Sequence, residues 1–142
     1  MHALETITVY RLRVPLLVPY KLVFGPVEYF DTIIVEVVDR DGKSGFGEAT
    51  ILTGYTDETI EGSWQAAKQF APAMAAGGND AGRMIAELGA RFPFTATAFG
   101  TALEMLGGST LLSPPTDTVV PLVGLLNALK KASDGAGGAL KE

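Results

Sequence analysis

The sequence GFGEATILTGYTDET, from Gly45 to Thr59, predicts a short strand, an irregular turn and the start of a helix. Its two glycines at alternate positions remove side chains from one face of the strand, so another segment comes close there. The segment from Ile51 to Tyr55 is more apolar than an ordinary surface linker, which favours a loop that covers a binding site. Thr56 and Asp57 are candidate N-caps, and Glu58 places a negative charge in the first helical turn.

Two further strands are predicted before this stretch. Glu5 to Val14 alternates between apolar and polar residues, and two prolines at positions 15 and 19 are expected to end its regular pairing. Leu16 to Val27 is then expected to be a long, apolar connection that forms a second covering loop. Phe30 to Asp39 is the clearest strand, and the Asp41-Gly42 turn joins it to a third strand, Ser44 to Ala49. The three strands form an antiparallel meander.

Three helices are predicted to follow the strands. The first contains the inward-facing Trp64 and ends at Gly77-Gly78, with Pro72 marking its end or a kink. Asn79 or Asp80 is expected to cap the second helix, which ends between residues 89 and 93. The third helix, Pro93 to Leu106, carries small residues that permit close packing: Ala96, Ala98, Gly100 and Ala102. Strands followed by helices predict an α+β fold, a three-stranded β-meander followed by a three-helix bundle.

The composition limits the classes of function. The 142 residues suffice for about one domain, and a hydrophobic fraction of 47% suffices for a core. The formal charge of −5 and the lack of a dense basic cluster argue against nucleic acid as a partner. The chain has no cysteine, no apolar run long enough for a membrane helix and no signal-peptide pattern. We therefore expect a cytoplasmic protein that does not bind a membrane.

Most individual polar residues have a structural explanation that competes with a functional one. Glu48 is expected to be a hydrogen-bonded carboxylate that holds the loop after the third strand rather than a base or a metal ligand. Tyr55 either contacts a substrate or packs on the first helix. Trp64 is expected in the core, and His2, the single histidine, is expected to have no role. The scattered carboxylates give no evident metal cluster.

The ordered motifs G-x-G-E-A, a short apolar loop, G-Y-T-x-E-T and an amphipathic helix resemble the N-terminal capping domain of the enolase superfamily. The mandelate racemase and muconate lactonizing enzyme branches are the most similar. The resemblance covers roughly Ile7 to Val123. It implies a cap over a barrel of alternating strands and helices, in which a divalent metal, usually Mg²⁺, assists abstraction of a proton next to a carboxylate. The products are those of racemisation, cycloisomerisation or dehydration.

The resemblance also assigns the substrate-covering residues. In the family, two loops of the capping domain close over the substrate, and they match Pro19 to Val27 and Thr50 to Tyr55 here. The expected substrate-capping residues are Tyr20, Lys21, Phe24, Ile51, Leu52, Thr53 and Tyr55. The substrate is expected to be a small carboxylic acid, bound only if a barrel is present.

The sequence departs from the family pattern in its catalytic half. A barrel takes about 250 residues, and the family's K-x-K pair, three metal-binding carboxylates and second acid or base have no counterpart here. We therefore expect residues 1–117 to be the capping domain and residues 118–142 to be the start of a barrel or a tail, with Val119 to Val123 as a first barrel strand. No catalytic residue, metal ligand or cofactor is expected in this chain, which alone is predicted to be inactive.

A second hypothesis treats the domain as a stand-alone binding or assembly module without catalysis. A cap without its barrel exposes the surface that the barrel would cover, and exposed apolar patches above a few hundred Å² favour association. This hypothesis predicts a homo-oligomer or pairing with a separate barrel chain.

Overall fold

In a computed structural model, the described residues form a three-stranded antiparallel sheet and three helices, which confirms the predicted α+β fold. The description covers residues 4–23, 25–52, 54–77, 80–112, 115–117, 119 and 121. The predicted barrel strand at residues 119–123 lies outside this part, except for Val119 and Pro121, which are exposed and not in a strand.

The sheet has the strand order β1-β2-β3. The strands are β1 (Leu4–Leu22), β2 (Gly25–Asp39) and β3 (Ser44–Thr50). The turn predicted at Asp41-Gly42 is present, and Gly42 has a φ of 78°, a left-handed conformation that favours glycine. The third strand agrees with its prediction to within one residue.

The prediction of a long connection from Leu16 to Val27 was wrong, because both strands continue through it. The pairing of β1 with β2 breaks between Pro15 and Tyr20 and then resumes, with Tyr20 opposite Val27 and Leu22 opposite Gly25. The two prolines interrupt the ladder only locally, since β1 is an edge strand, where a missing amide donor is tolerated. The result is a β-hairpin arm, residues 15–23 with 25–29, that extends the sheet.

The helices are α1 (Ile60–Ala76), α2 (Ala81–Gly89) and α3 (Pro93–Leu106). Helices α1 and α3 pack on one face of the sheet, and α2 packs on α3. Ile33, Val35 and Val37 of β2 are fully buried on the face that α1 and α3 cover. Phe99 of α3 is also fully buried, and its ring meets that of Phe70 edge to face at 4.7 Å. These contacts place the core between the central strand and α3.

The close approach predicted from the glycines of β3 is confirmed. A Cβ atom at Gly47 would overlap the carbonyl oxygen of Ala98, and one at Gly45 would overlap that of Ala102. Ala98 and Ala102 are fully buried. The glycine face of β3 therefore packs directly on the small residues of α3.

Several helix-end predictions needed correction. Thr59, rather than Thr56 or Asp57, caps α1, because its extended backbone lets Oγ1 accept a hydrogen bond from the Gly62 amide at 3.1 Å. Pro72 does not end α1, which continues to Ala76. Burial of the neighbouring Ala71 and Met74 offsets the lost donor.

At α2, Asp80 occupies the N-cap position but its side chain bonds Arg83 instead of a backbone amide, and Asn79 lies outside the described residues. Trp64 is half-buried rather than in the core cluster, and the Lys68 ammonium lies 5.4 Å from the centre of its ring.

The opposite face of the sheet is apolar but not covered by the described helices. Tyr10, Leu12 and Val14 of β1 and Phe46 of β3 are each between 42% and 44% exposed. The Tyr10 hydroxyl donates to Glu36 at 2.7 Å, and this hydrogen bond raises the pKa of Tyr10. Within the described residues no helix is both long and apolar enough to cross a bilayer.

Candidate functional site

A cleft of about 640 Å³ lies between the beginning of β2 and the loop that follows β3. We call it the cleft throughout. It combines apolar walls with two carboxylates, and its lining residues are Gly25, Pro26, Val27, Glu28, Tyr29, Asp31, Ile51, Leu52 and Gly54. The hairpin arm and the loop after β3 therefore meet at a single concave surface.

The loop is fixed to β2 where it leaves β3. The Ile51 amide donates to the Asp31 carbonyl at 2.9 Å, and the Ile51 side chain is only 6% exposed. Glu48, just before it, accepts hydrogen bonds from the hydroxyls of Thr32 at 3.0 Å and Thr50 at 3.2 Å. This is the structural role predicted for Glu48, a carboxylate that holds the start of the loop.

The other end of the loop is fixed by Glu58, which is 2% exposed. Its carboxylate accepts bonds from the Phe94 amide at 2.5 Å and the Thr95 hydroxyl at 2.8 Å, both at the start of α3, and from Ser63 Oγ at 2.9 Å. A carboxylate at this position also suits the positive end of the α3 dipole. Glu58 therefore precedes the N-cap of α1 and ties the loop to α3, rather than acting in the first turn of α1 as predicted.

Arg13 supports the floor of the cleft from β1. Its guanidinium donates to both carboxylate oxygens of Asp31, at 3.0 and 3.1 Å, and lies 4.1 Å from the centre of the Tyr29 ring. The hydrogen bond to Asp31 raises the pKa of Arg13. The Asp31 carboxylate is thus compensated by a planar cation that also stacks on a neighbouring cleft residue.

The predicted substrate-capping residues divide into three groups. Leu52 and the largely buried Ile51 line the cleft. Tyr20 and Lys21 pair with Val27 and Pro26 on the arm without lining the cleft, and Tyr55 is 64% exposed outside it. Phe24 and Thr53 lie outside the described residues. A substrate contact by any of the seven stays a prediction.

Sequence reasoning missed the contribution of β2. Glu28, Tyr29 and Asp31 line the cleft because β2 begins at Gly25, whereas the prediction placed the strand start at Phe30. The alternation of apolar residues that marks the core of β2 fades before residue 30, so only the turn signal at Gly25 indicated the earlier start.

The described residues do not fit a resident magnesium ion. In this part of the chain no three histidine, cysteine, aspartate or glutamate side chains come together to hold a metal. Asp31 is committed to Arg13, and Glu58 is committed to α3. We therefore assign no metal-dependent step to these residues.

The chain resembles known proteins over part of its length, although no family model matches it. It is 35% identical over 69 residues to an o-succinylbenzoate synthase from Geobacillus stearothermophilus, a match that covers 47% of this chain and 18% of that protein. It is 33% identical over 52 residues to a hydrophobic dipeptide epimerase from Citrifermentans bemidjiense, over 37% of this chain and 14% of that protein.

Solved structures show the same fold. A dipeptide epimerase from Cytophaga hutchinsonii, solved with Mg and the dipeptide D-Ala-L-Val, superposes with a TM-score of 0.70 at 19% identity, over 84% of this chain and 35% of that chain. A dipeptide epimerase from Methylococcus capsulatus, solved with Mg and the dipeptide L-Arg-D-Lys, superposes with a TM-score of 0.62 at 31% identity. This superposition covers 78% of this chain and 32% of that chain. The chain contains an enolase-superfamily N-terminal capping domain.

The matched region covers only part of the length of each relative. The segments matched in sequence span 14% to 18% of the curated relatives, and the superposed part spans about a third of the solved chains. The predicted resemblance is confirmed at the level of the superfamily and its capping domain. The activity of a whole protein that carries this capping domain is a matter for proposal.

Proposed function

We propose that residues 1–117 form the substrate-capping part of an enzyme of the mandelate racemase and muconate lactonizing type, and that residues 118–142 begin its barrel. The observation that carries this proposal is the cleft, because it unites the hairpin arm with the loop after β3. Those are the two segments that the family resemblance assigns to substrate covering. The parent chemistry is metal-assisted proton abstraction next to a carboxylate.

The capping domain binds the substrate, orients it and excludes water from it. Pro26, Val27 and Leu52 offer apolar walls to the part of a substrate that lies away from the reacting carbon. Closing such a surface over a barrel removes water from the reacting groups and strengthens the electrostatic interactions inside. The substrate is a small carboxylic acid, and the dipeptides bound by the solved relatives belong to that class.

The loop suits this task because both of its ends are fixed, while Leu52 and Gly54 between them line the cleft. Asp31 holds Ile51 at one end and α3 holds Glu58 at the other. Leu52 is half-buried between these anchors. A short loop between two fixed points presents its side chains at a low entropic cost of ordering on binding.

A chimera tests this proposal. Residues 4–117 replace the equivalent N-terminal part of the Methylococcus capsulatus dipeptide epimerase, and kcat/KM is measured with magnesium over a panel of dipeptides. Leu52→Ala in the chimera is expected to lower kcat/KM by roughly tenfold, because an apolar contact with bound substrate is lost.

Gln65→Ala, at an exposed position of α1, is the matched control and is expected to leave kcat/KM unchanged. The 142-residue chain alone, assayed in the same way, is expected to show no turnover. Equal effects of the two substitutions in an active chimera, or turnover by the chain alone, would contradict the proposal.

A further inference from the structure

The described residues that line the cleft carry charges of one sign. Glu28 and Asp31 carry carboxylates, and no lysine, arginine or histidine is among these described lining residues. The rest of the lining is apolar or glycine apart from the Tyr29 hydroxyl. A ligand that enters the cleft therefore meets negative charge and apolar surface, without a cation from the lining.

The two carboxylates differ in their partners. The Asp31 carboxylate accepts hydrogen bonds from Nε and Nη2 of Arg13, and the Asp31 side chain is only 13% exposed. Glu28, in contrast, is exposed, and its side chain has no hydrogen bond or ion pair with any other described residue. Lys21, the cation of the hairpin arm, pairs across the strands with Pro26 and makes no ion pair with Glu28. Glu28 is thus the carboxylate that is available to a ligand.

The apolar surroundings of Glu28 strengthen the electrostatic attraction between its carboxylate and a positively charged ligand group. Pro26 and Val27 precede it on β2, and Leu52 lines the same cleft from the loop after β3. A ligand that fills the cleft displaces water from this apolar surface, which lowers the effective dielectric constant and strengthens the attraction between opposite charges. A positively charged group of the ligand is attracted to the Glu28 carboxylate, whereas a carboxylate of the ligand at the same place is repelled.

We infer that the cleft selects substrates whose distal end carries a positively charged nitrogen, with Glu28 as the residue that contacts it. This inference rests on the proposed function, since it names the substrate class of the same cleft. Glu28 acts as a specificity determinant: its carboxylate pairs with the ammonium or guanidinium group, while Leu52 packs on the aliphatic stem. Side chains of this amphipathic kind bury their stem and keep the charged head near a polar partner.

The test uses the ¹⁵N-labelled 142-residue chain and two small probes. Nα-acetyl-L-lysine carries the ammonium group, and N-acetyl-L-2-aminoheptanoate replaces that group with a methyl while keeping the shape and the carboxylate. Dissociation constants are obtained from shifts of the backbone amides of Tyr29, Leu52 and Gly54. The lysine probe is expected to bind at least about fivefold more tightly, as a single screened ion pair provides.

Variants assign the preference to Glu28. Glu28→Gln is expected to bring the ratio of the two dissociation constants close to one, because the charge is removed while the shape is kept. Glu5→Gln, at an exposed position near the far end of β1, is the matched control and is expected to keep the ratio. Since both sites are exposed, both variants are expected to retain the wild-type amide spectrum.

The outcomes separate this inference from the proposed function. Cleft shifts with equal affinity for the two probes, or a preference that survives Glu28→Gln, would overturn the role of Glu28 and leave the cleft as a binding site. No shift of the cleft amides with either probe would overturn the inference and leave the substrate-covering function, which involves the barrel, to the test with the chimera.

Discussion

Gly47→Ala is expected to destabilise the capping domain by about 3 kcal/mol or more. The new methyl would overlap the carbonyl oxygen of Ala98 and crowd the amide of Ala102, and both are backbone atoms of α3. A flexible side chain can rotate away from a clash, but a helix that is packed through fully buried residues has to move as a unit. Urea denaturation followed by circular dichroism measures the loss.

Gly82→Ala is the control for this prediction. Gly82 is exposed on α2, and a Cβ atom there would have no atom within 4 Å. Alanine is a better helix former by about 1 kcal/mol, so this variant is expected to be neutral or stabilised. If Gly47→Ala were as stable as Gly82→Ala, the close approach of β3 and α3 would be wrong.

Glu58→Ala is expected to cost about 3 kcal/mol of stability. Removal of the buried carboxylate leaves the Thr95 hydroxyl, the Ser63 hydroxyl and the amide of Phe94 without their acceptor. Glu58→Gln is also expected to destabilise, because one oxygen becomes an NH₂ group that faces donors. Thermal or urea unfolding measures both variants.

Glu87→Ala serves as the comparison for Glu58. Glu87 is exposed, and among the described residues it pairs with the exposed Arg83 at 2.6 Å, so its removal is expected to leave the free energy of unfolding almost unchanged. Hydrogen exchange adds a local readout, because release of Glu58 frees one end of the loop and is expected to speed exchange of the Tyr55 amide. Equal stability of the Glu58→Ala and Glu87→Ala variants would refute the anchoring role.

The features that could be predicted from the sequence are those with a local signal. The apolar alternation of β2, the Asp41-Gly42 turn and the glycine and proline boundaries of α3 each act within a few residues, and the structure agrees with them. The glycines of β3 and the small residues of α3 each predicted a close neighbour, because both patterns lack side-chain volume, and the structure shows that the two segments are each other's neighbours.

The features that escaped prediction depend on distant partners. The role of Glu58 requires Phe94 and Thr95, which lie 36 and 37 residues further along the chain. The hairpin arm was missed because Pro15 and Pro19 indicate a break, while the pairing of Tyr20 with Val27 beyond them has no local pattern. As a result, Ile51 and Leu52 are the two predicted covering residues that line the cleft, and their contact with a substrate stays a prediction, whereas Glu28 and Tyr29 were not identified.

The central claim is that this capping domain works together with a catalytic barrel. The most direct measurement is the intact mass of the protein captured from its native cells with an antibody against residues 60–106, together with the identity of any polypeptide bound to it. The account predicts a polypeptide about 250 residues larger than the 142-residue chain, with barrel sequence after the capping domain. A 14.9 kDa species that carries no barrel polypeptide would contradict it.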